Sequence, residues 1–287
     1  MNTELYTQLI ESGVPEELAR QMANDGSGQG GSMPFDVIKL NYDKDDILVD
    51  LGVKKGEFIT GYQIDKKTFE VKKEGKVFKQ PMEVVLTAVT YQYSTYDPVK
   101  GGYKYVTPFF DNVYESPKIV EMKTGKTVKQ MKAELEGTKD KLVFNAIFLL
   151  LVKEGKEYAP YLMYVRGTNW RFFNDQLEEK GFSIIGDNNI KTLKTMKWKS
   201  KKVATTASPA WVIDITDIKQ NTALASDEFK KVLGSSFKAF MGWKEGFNEQ
   251  KTNSSNPSNE KYKAVNDNTA EAPSEEVDVT DDSELPF

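Results

Sequence analysis

Six lysines fall in the twelve residues 191–202, namely Lys191, Lys194, Lys197, Lys199, Lys201 and Lys202, with no acid among them and with Met196 and Trp198 in their midst. A second stretch, residues 91–110, gathers Tyr91, Tyr93, Tyr96, Tyr103, Tyr105 and Phe109 with Lys100 and Lys104. Ammonium groups in a row neutralise successive phosphates, and flat rings accept unstacked bases. Together the two stretches suit a single nucleic-acid strand held without base-edge readout. Stacking contributes roughly 1–3 kcal/mol per base, so a few exposed rings outweigh a modest net charge. Each feature also has a plainer reading. Rings at alternating positions build the core of a sheet, and lysines guard an exposed sheet edge. Tyr96 and Tyr103 suit a core least, because they flank a polar loop.

Other chemistry is narrowly bounded. The chain has no His and no Cys, which excludes disulfides, a Cys nucleophile, a Ser-His-Asp triad and a His/Cys zinc site. Asp111 followed by Glu121-Met122-Lys123 has the order of a carboxylate metal site with an assisting lysine, the mark of a metal-dependent nuclease. Glu-x-Lys recurs at Glu74, Glu154 and Glu228, as a highly charged chain makes common. The glycines at 26–31 lack the Lys-Ser or Lys-Thr of a phosphate loop. The expectation is a binding protein, not an enzyme, with no cofactor and no metal.

Charge is divided unevenly. Residues 1–263 hold all 39 Lys and Arg against 35 of the 43 acids, while 264–287 hold eight acids and no cation. The first part is therefore mildly basic and the second a polyanion, too charged and too poor in apolar residues to fold by burial. It ends in Asp281-Asp282-Ser283-Glu284-Leu285-Pro286-Phe287. A terminal ring and carboxylate after an acidic run form a short recognition element. This end resembles the acidic tip of single-stranded DNA-binding (SSB) proteins, and the whole layout resembles those of bacteriophages that join an oligonucleotide-binding (OB) domain to an acidic tail. The resemblance implies sequence-independent binding and protection of single-stranded DNA during replication, recombination or repair. It also implies that Asp281, Asp282, Glu284, Leu285, Pro286 and Phe287 contact replication proteins such as a DNA polymerase, helicase or primase. The rival from another class is a protein-interaction or structural module with a solubilising tail.

The elements that must carry these residues follow from periodicity. Residues 1–25 predict a helical hairpin, 26–34 a flexible linker, 35–246 the binding domain, 247–263 a polar linker and 264–287 a disordered tail. Within the domain, strands are expected at 37–40, 47–51, 58–62, 82–93, 103–110, 143–152, 158–166, 193–203 and 210–215, with a hairpin turn at 72–76. Helices are expected at 127–135, at 169–180 behind a Thr168 cap, and from Ser226 to about residue 243. The odd positions of 82–93 should share a face, and 91–110 should form one protruding hairpin. The fold class is mainly β, an enlarged OB-like barrel with inserted helices, or else a β-sandwich. No apolar run has membrane-spanning length, and no basic region with an apolar core opens the chain, so a cytoplasmic location is expected, the host's for a phage chain. A monomer or weak oligomer is expected.

Overall fold

The computed structural model describes Glu16 and residues 33–41, 47–64, 71–97, 102–182, 193–205 and 209–253. Its elements run β1 (Val37–Leu40), α1 (Ile47–Asp50), β2 (Phe58–Thr60), β3 (Gln63–Ile64), β4 (Val71–Lys73), β5 (Lys76–Val77), β6 (Met82–Asp97), β7 (Gly102–Val106), α2 (Val128–Leu135), β8 (Val143–Glu154), β9 (Glu157–Arg166), α3 (Gly167–Glu179), β10 (Thr195–Val203), β11 (Ala210–Lys219) and α4 (Asp227–Asn253). The chain is mainly β. Nine strands form one mixed sheet in the order β11-β10-β6-β8-β9-β1-β2-β5, with β7 on the far part of β6, while β3 and β4 make a separate ribbon. β1 runs parallel to β9, and the other pairings are antiparallel. Among the described residues, no helix is long and apolar enough to cross a membrane.

The apolar run of β8 has no alternation because both of its faces are covered. Ala146, Phe148, Leu150 and Val152 enter one core with Trp170, Phe173 and Leu177 of α3; Ile147, Leu149 and Leu151 enter another with Phe229, Leu233, Phe237, Phe240 and Trp243 of α4. Burying each such side chain stabilises by roughly 1.5–3 kcal/mol, so these stripes hold both helices on the sheet. In β6, Val84 and Leu86 share the first core with Val89, Tyr91 and Tyr93. Strict alternation forbids that. The register shifts between Leu86 and Ala88, leaving Thr87 extra, and this bulge moves every later side chain to the opposite face. The expected odd-numbered face therefore exists only beyond the bulge.

The sheet curls until its distant strands meet. Trp211, at the start of β11, lies against Gly56, just ahead of β2: a Cβ on Gly56 would stand 2.4 Å from the indole Cε3. Gly56 also has φ +85°, a left-handed conformation that favours glycine. Gln80 ties the same point to β10, donating through Nε2 to the Gly56 carbonyl (3.3 Å) and accepting at Oε1 from the Ser200 amide (2.7 Å).

The helices are positioned by specific polar contacts. Thr127 and Gln130 form a reciprocal capping box at the start of α2. The far half of α4 is fixed by Asn248, whose amide accepts from the Phe109 N–H (2.8 Å) and donates to the Phe109 carbonyl (3.0 Å). Lys244, nearly buried, pairs with Asp111 at 2.5 Å. The ring of Phe109 completes the clamp, 4.6 Å from Trp243 and 4.7 Å from Phe247.

Several expectations are corrected here. Residues 47–50 form a helix, not a strand: the Val53 and Leu51 amides both return to the Leu48 carbonyl, with Gly52 at φ +84° ending the turn. The strands flanking 72–76 pair away from each other, β4 with β3 and β5 with β2, because the chain crosses between ribbons at Gly75, where a Cβ would stand 2.1 Å from the Thr60 carbonyl oxygen. α3 starts at Gly167 behind Arg166, which makes no side-chain cap bond, so Thr168 lies inside the first turn. α4 continues to Asn253, past the expected domain boundary at 246. The stretch 91–110 does not protrude as one hairpin, since its base lies in the core. The helical hairpin of 1–25, apart from Glu16, the linker glycines and the tail lie outside the described residues.

The outer edge of β11 is closed by side chains of α3. Asn169 Oδ1 accepts from the Ile213 N–H (2.9 Å), and its Nδ2 donates to the Trp211 carbonyl (3.5 Å). One strand step further, Gln176 Oε1 accepts from the Ile215 N–H (2.7 Å) and its Nε2 donates to the Ile213 carbonyl (2.8 Å). Two amides about two turns apart on the helix thus stand in for a partner strand. Gln176→Ala leaves a buried donor and a buried acceptor unpaired and is expected to cost roughly 2 kcal/mol. Urea unfolding measures this; a midpoint equal to that of the unaltered chain would deny the edge bonds any weight.

Candidate nucleic-acid interface

The two expected ribbons flank the same strand at opposite ends. β10 pairs with the start of β6, setting Lys197 opposite Glu83, and β7 pairs with its end, setting Tyr105 opposite Thr95. Along β6 those points are separated by up to about 40 Å at the strand rise. They do not make one groove.

At the β7 end, most of the expected rings are core. Tyr91 and Tyr93 are 0% and 2% exposed. Tyr91 packs on Phe110, Phe144 and Trp170 at centroid distances of 5.5–5.8 Å, and the Tyr93 hydroxyl is 2.9 Å from Ser116 Oγ. Burial, and then the Asp111 charge, pushes the Tyr91 phenol well above its usual range. A base cannot stack on a ring without an open face, so both leave the interface. Tyr105 is buried as well; its hydroxyl donates to Glu134 Oε2 (2.5 Å), and Lys104 and Lys126 sit 5.9 and 5.7 Å from its ring centroid. Lys126 pairs with Glu134 at 2.6 Å and Lys104 with Asp140 at 2.8 Å. The hydrogen bonds from Lys126 and then Tyr105 hold the Glu134 carboxyl below its usual range. These lysines already have carboxylates. Tyr96 and Tyr103 remain half-exposed as an edge-to-face pair at 6.0 Å; Lys100 lies outside the described residues.

Charge is unevenly spent along β10 also. Trp198 is 0% exposed, against Phe148 and Phe173, and is core. Lys194 donates to Gln220, Lys197 stands between Glu83 and Asp217, and Lys199 pairs with Asp214 at 3.4 Å. Glu83 is itself engaged: partial burial raises its pKa, but the hydrogen bond and charge of Lys153, then Tyr158, bring it below the usual value. Only at the far end does the balance change. Among the described residues, no carboxylate lies in salt-bridge reach of Lys201 or Lys202. Lys191 lies outside the described residues.

That end of β10 is the seam. Lys202 is the cross-strand partner of Trp211, Trp211 rests on Gly56, and Lys54 and Lys55 precede Gly56 in the chain. Lys79 precedes Gln80, the bridge between Gly56 and Ser200. Lys54 and Lys79 likewise have no carboxylate in reach among the described residues. Three chain segments thus bring cations to one rim of the curled sheet, around the half-exposed indole of Trp211 on a fourth. Lys54, Lys55, Lys79 and Trp211 were not expected as site residues, because a lysine pair in a turn and a tryptophan in an apolar strand look ordinary. One signal was available: the hairpin that pairs Val203 with Ala210 necessarily sets Lys202 opposite Trp211.

Two other sites carry less. A shallow cleft between α3 and β11 sets Asp175, Glu179 and Asp214 against Lys180 and Lys201, a mixed charge that disfavours phosphate. The nuclease order is dispersed into structural duties. Asp111 holds Lys244, and Glu121, 1% exposed, accepts through Oε2 from the Lys123 and Thr124 amides, capping its own turn. No cluster of three or more metal-ligating side chains occurs among the described residues. The tail residues Asp281, Asp282, Glu284, Leu285, Pro286 and Phe287 lie outside them. No protein-family model, curated protein or solved structure matches the chain.

Proposed function

We propose that the chain binds single-stranded DNA without sequence preference, protecting it during replication, recombination or repair. The observation that carries this is the gathering of Lys54, Lys55, Lys79 and Lys202 around Trp211 on one rim of a curled sheet, while the expected lysines Lys104, Lys194 and Lys199 have acidic or amide partners. A row of cations at the mouth of a β structure suits a phosphate backbone. On this reading the curled sheet is an enlarged OB-type barrel, acting as a monomer or weak oligomer. The acidic segment 264–287 docks replication enzymes such as a polymerase, helicase or primase through Leu285-Pro286-Phe287. With no strand present, its eight acids compete for the same lysines.

Fluorescence anisotropy of labelled oligo(dT) at several salt concentrations tests the reading. Affinity should fall with a log–log slope of about −0.7 per phosphate neutralised. A chain ending at residue 263 should bind more tightly than the full chain at low salt, with the difference shrinking as salt screens the tail. Absence of binding by both chains at low salt would overturn the proposal, and equal affinities would remove the tail's competing role.

A further inference from the structure

We propose that Trp211 is the ring on which a base of the bound strand stacks, with Lys202, Lys55 and Lys54 taking the phosphates beside it; this rests on the reading of the chain as a single-strand binder. Three observations converge on it. The indole lies so close over Gly56 that a Cβ there would come 2.4–2.8 Å from three of its ring carbons. The floor beneath it is therefore bare backbone. That floor is tied to β10 through Gln80, so the ring is held in place before any ligand arrives, which limits the ordering that binding requires. Finally, Lys202 is its cross-strand neighbour and Lys54-Lys55 leads directly into Gly56, so cations flank a half-exposed aromatic ring. A cation row with an aromatic platform at its centre is what a strand without sequence preference requires. Beside the ring pair of Tyr96 and Tyr103, by contrast, Lys104 is matched by Asp140.

The chain supplies its own reporter. It has four tryptophans, of which Trp170, Trp198 and Trp243 are 6%, 0% and 5% exposed, leaving Trp211 as the half-exposed one. Titrating the full chain with unlabelled oligo(dT) should quench tryptophan emission saturably, with the same midpoint as anisotropy of a labelled strand. Trp211→Phe should abolish most of the quenching while keeping affinity within about threefold, since a ring remains for stacking. Trp211→Ala should weaken binding roughly tenfold or more while preserving the salt slope, because the phosphate contacts are untouched. Anisotropy that reports salt-dependent binding, with unchanged emission and a Trp211→Ala affinity equal to that of the unaltered chain, would overturn the assignment and leave strand binding standing. Absence of binding by anisotropy at low salt would overturn both. The quenching test needs no variant, so a folding defect in Trp211→Ala cannot rescue the idea.

Discussion

Trp198→Ala should lower the unfolding free energy by roughly 3–5 kcal/mol and leave the oligo(dT) affinity of the folded protein unchanged. The side chain is 0% exposed, 5.2 Å from Phe173 and 6.4 Å from Phe148 by ring centroid, where β10 meets α3 and β8. Removing it opens a cavity among three elements that cannot all close in. Trp198→Phe should cost far less, about 1 kcal/mol, for a reason beyond size. The indole Nε1 is buried with no hydrogen-bond partner among the described residues, so the phenyl ring removes an unpaired donor as well as volume. Chemical denaturation of both variants, with anisotropy well below their melting points, checks the set. A loss of affinity with normal stability would return Trp198 to the interface.

Reversing charge at the seam should have the largest effect on binding. Lys54→Glu, Lys55→Glu, Lys79→Glu and Lys202→Glu together are expected to weaken oligo(dT) binding at least roughly a hundredfold at low salt and to flatten the salt slope by about 3, four contacts at 0.7 each. The control is built into the fold. Lys104→Glu with Lys126→Glu, at the opposite end of β6, should change affinity less than about threefold, because those ammonium groups already face Asp140 and Glu134. The seam residues are at the surface, so melting temperature should hardly move. Equal losses from both sets would mean that the strand responds to net charge alone, and a greater loss from the hairpin pair would place it at the wrong end of the molecule here.

Much of the fold was legible along the chain, and its failures share a cause. β8, β9, the β10–β11 hairpin and α2 follow from local signals: unbroken apolar residues, alternation, a turn, and Thr127 three residues before Gln130. The bulge at Thr87 was not legible, because an extra residue is defined only by the partner strand it fails to match. Nor was α1, where Ile47, Leu48, Val49 and Leu51 around Asp50 suit a strand until Gly52 turns the backbone. The site suffered most. Tyr91 and Tyr105 look alike as letters to Tyr96 and Tyr103, and which of them is buried depends on α3 and α2 arriving from elsewhere. Counting lysines singled out β10 but could not tell which of its lysines have partners, since Asp214 and Gln220 engage theirs only once β11 is in register. Gly56 and Trp211 are far apart in the chain, and their contact exists only after the sheet has curled.

On the proposed reading, the amides of Asn169 and Gln176 have a bearing on traffic along a DNA strand. Proteins that line up side by side on a polymer are brought to high local concentration, where an open sheet edge invites neighbours to merge into a common ribbon. Here the rungs that a neighbour would grip at Trp211, Ile213 and Ile215 are already taken by the chain's own helix. If the chain binds single strands as proposed, crowded copies could be stripped from the strand one at a time, without first being unzipped from each other along that edge.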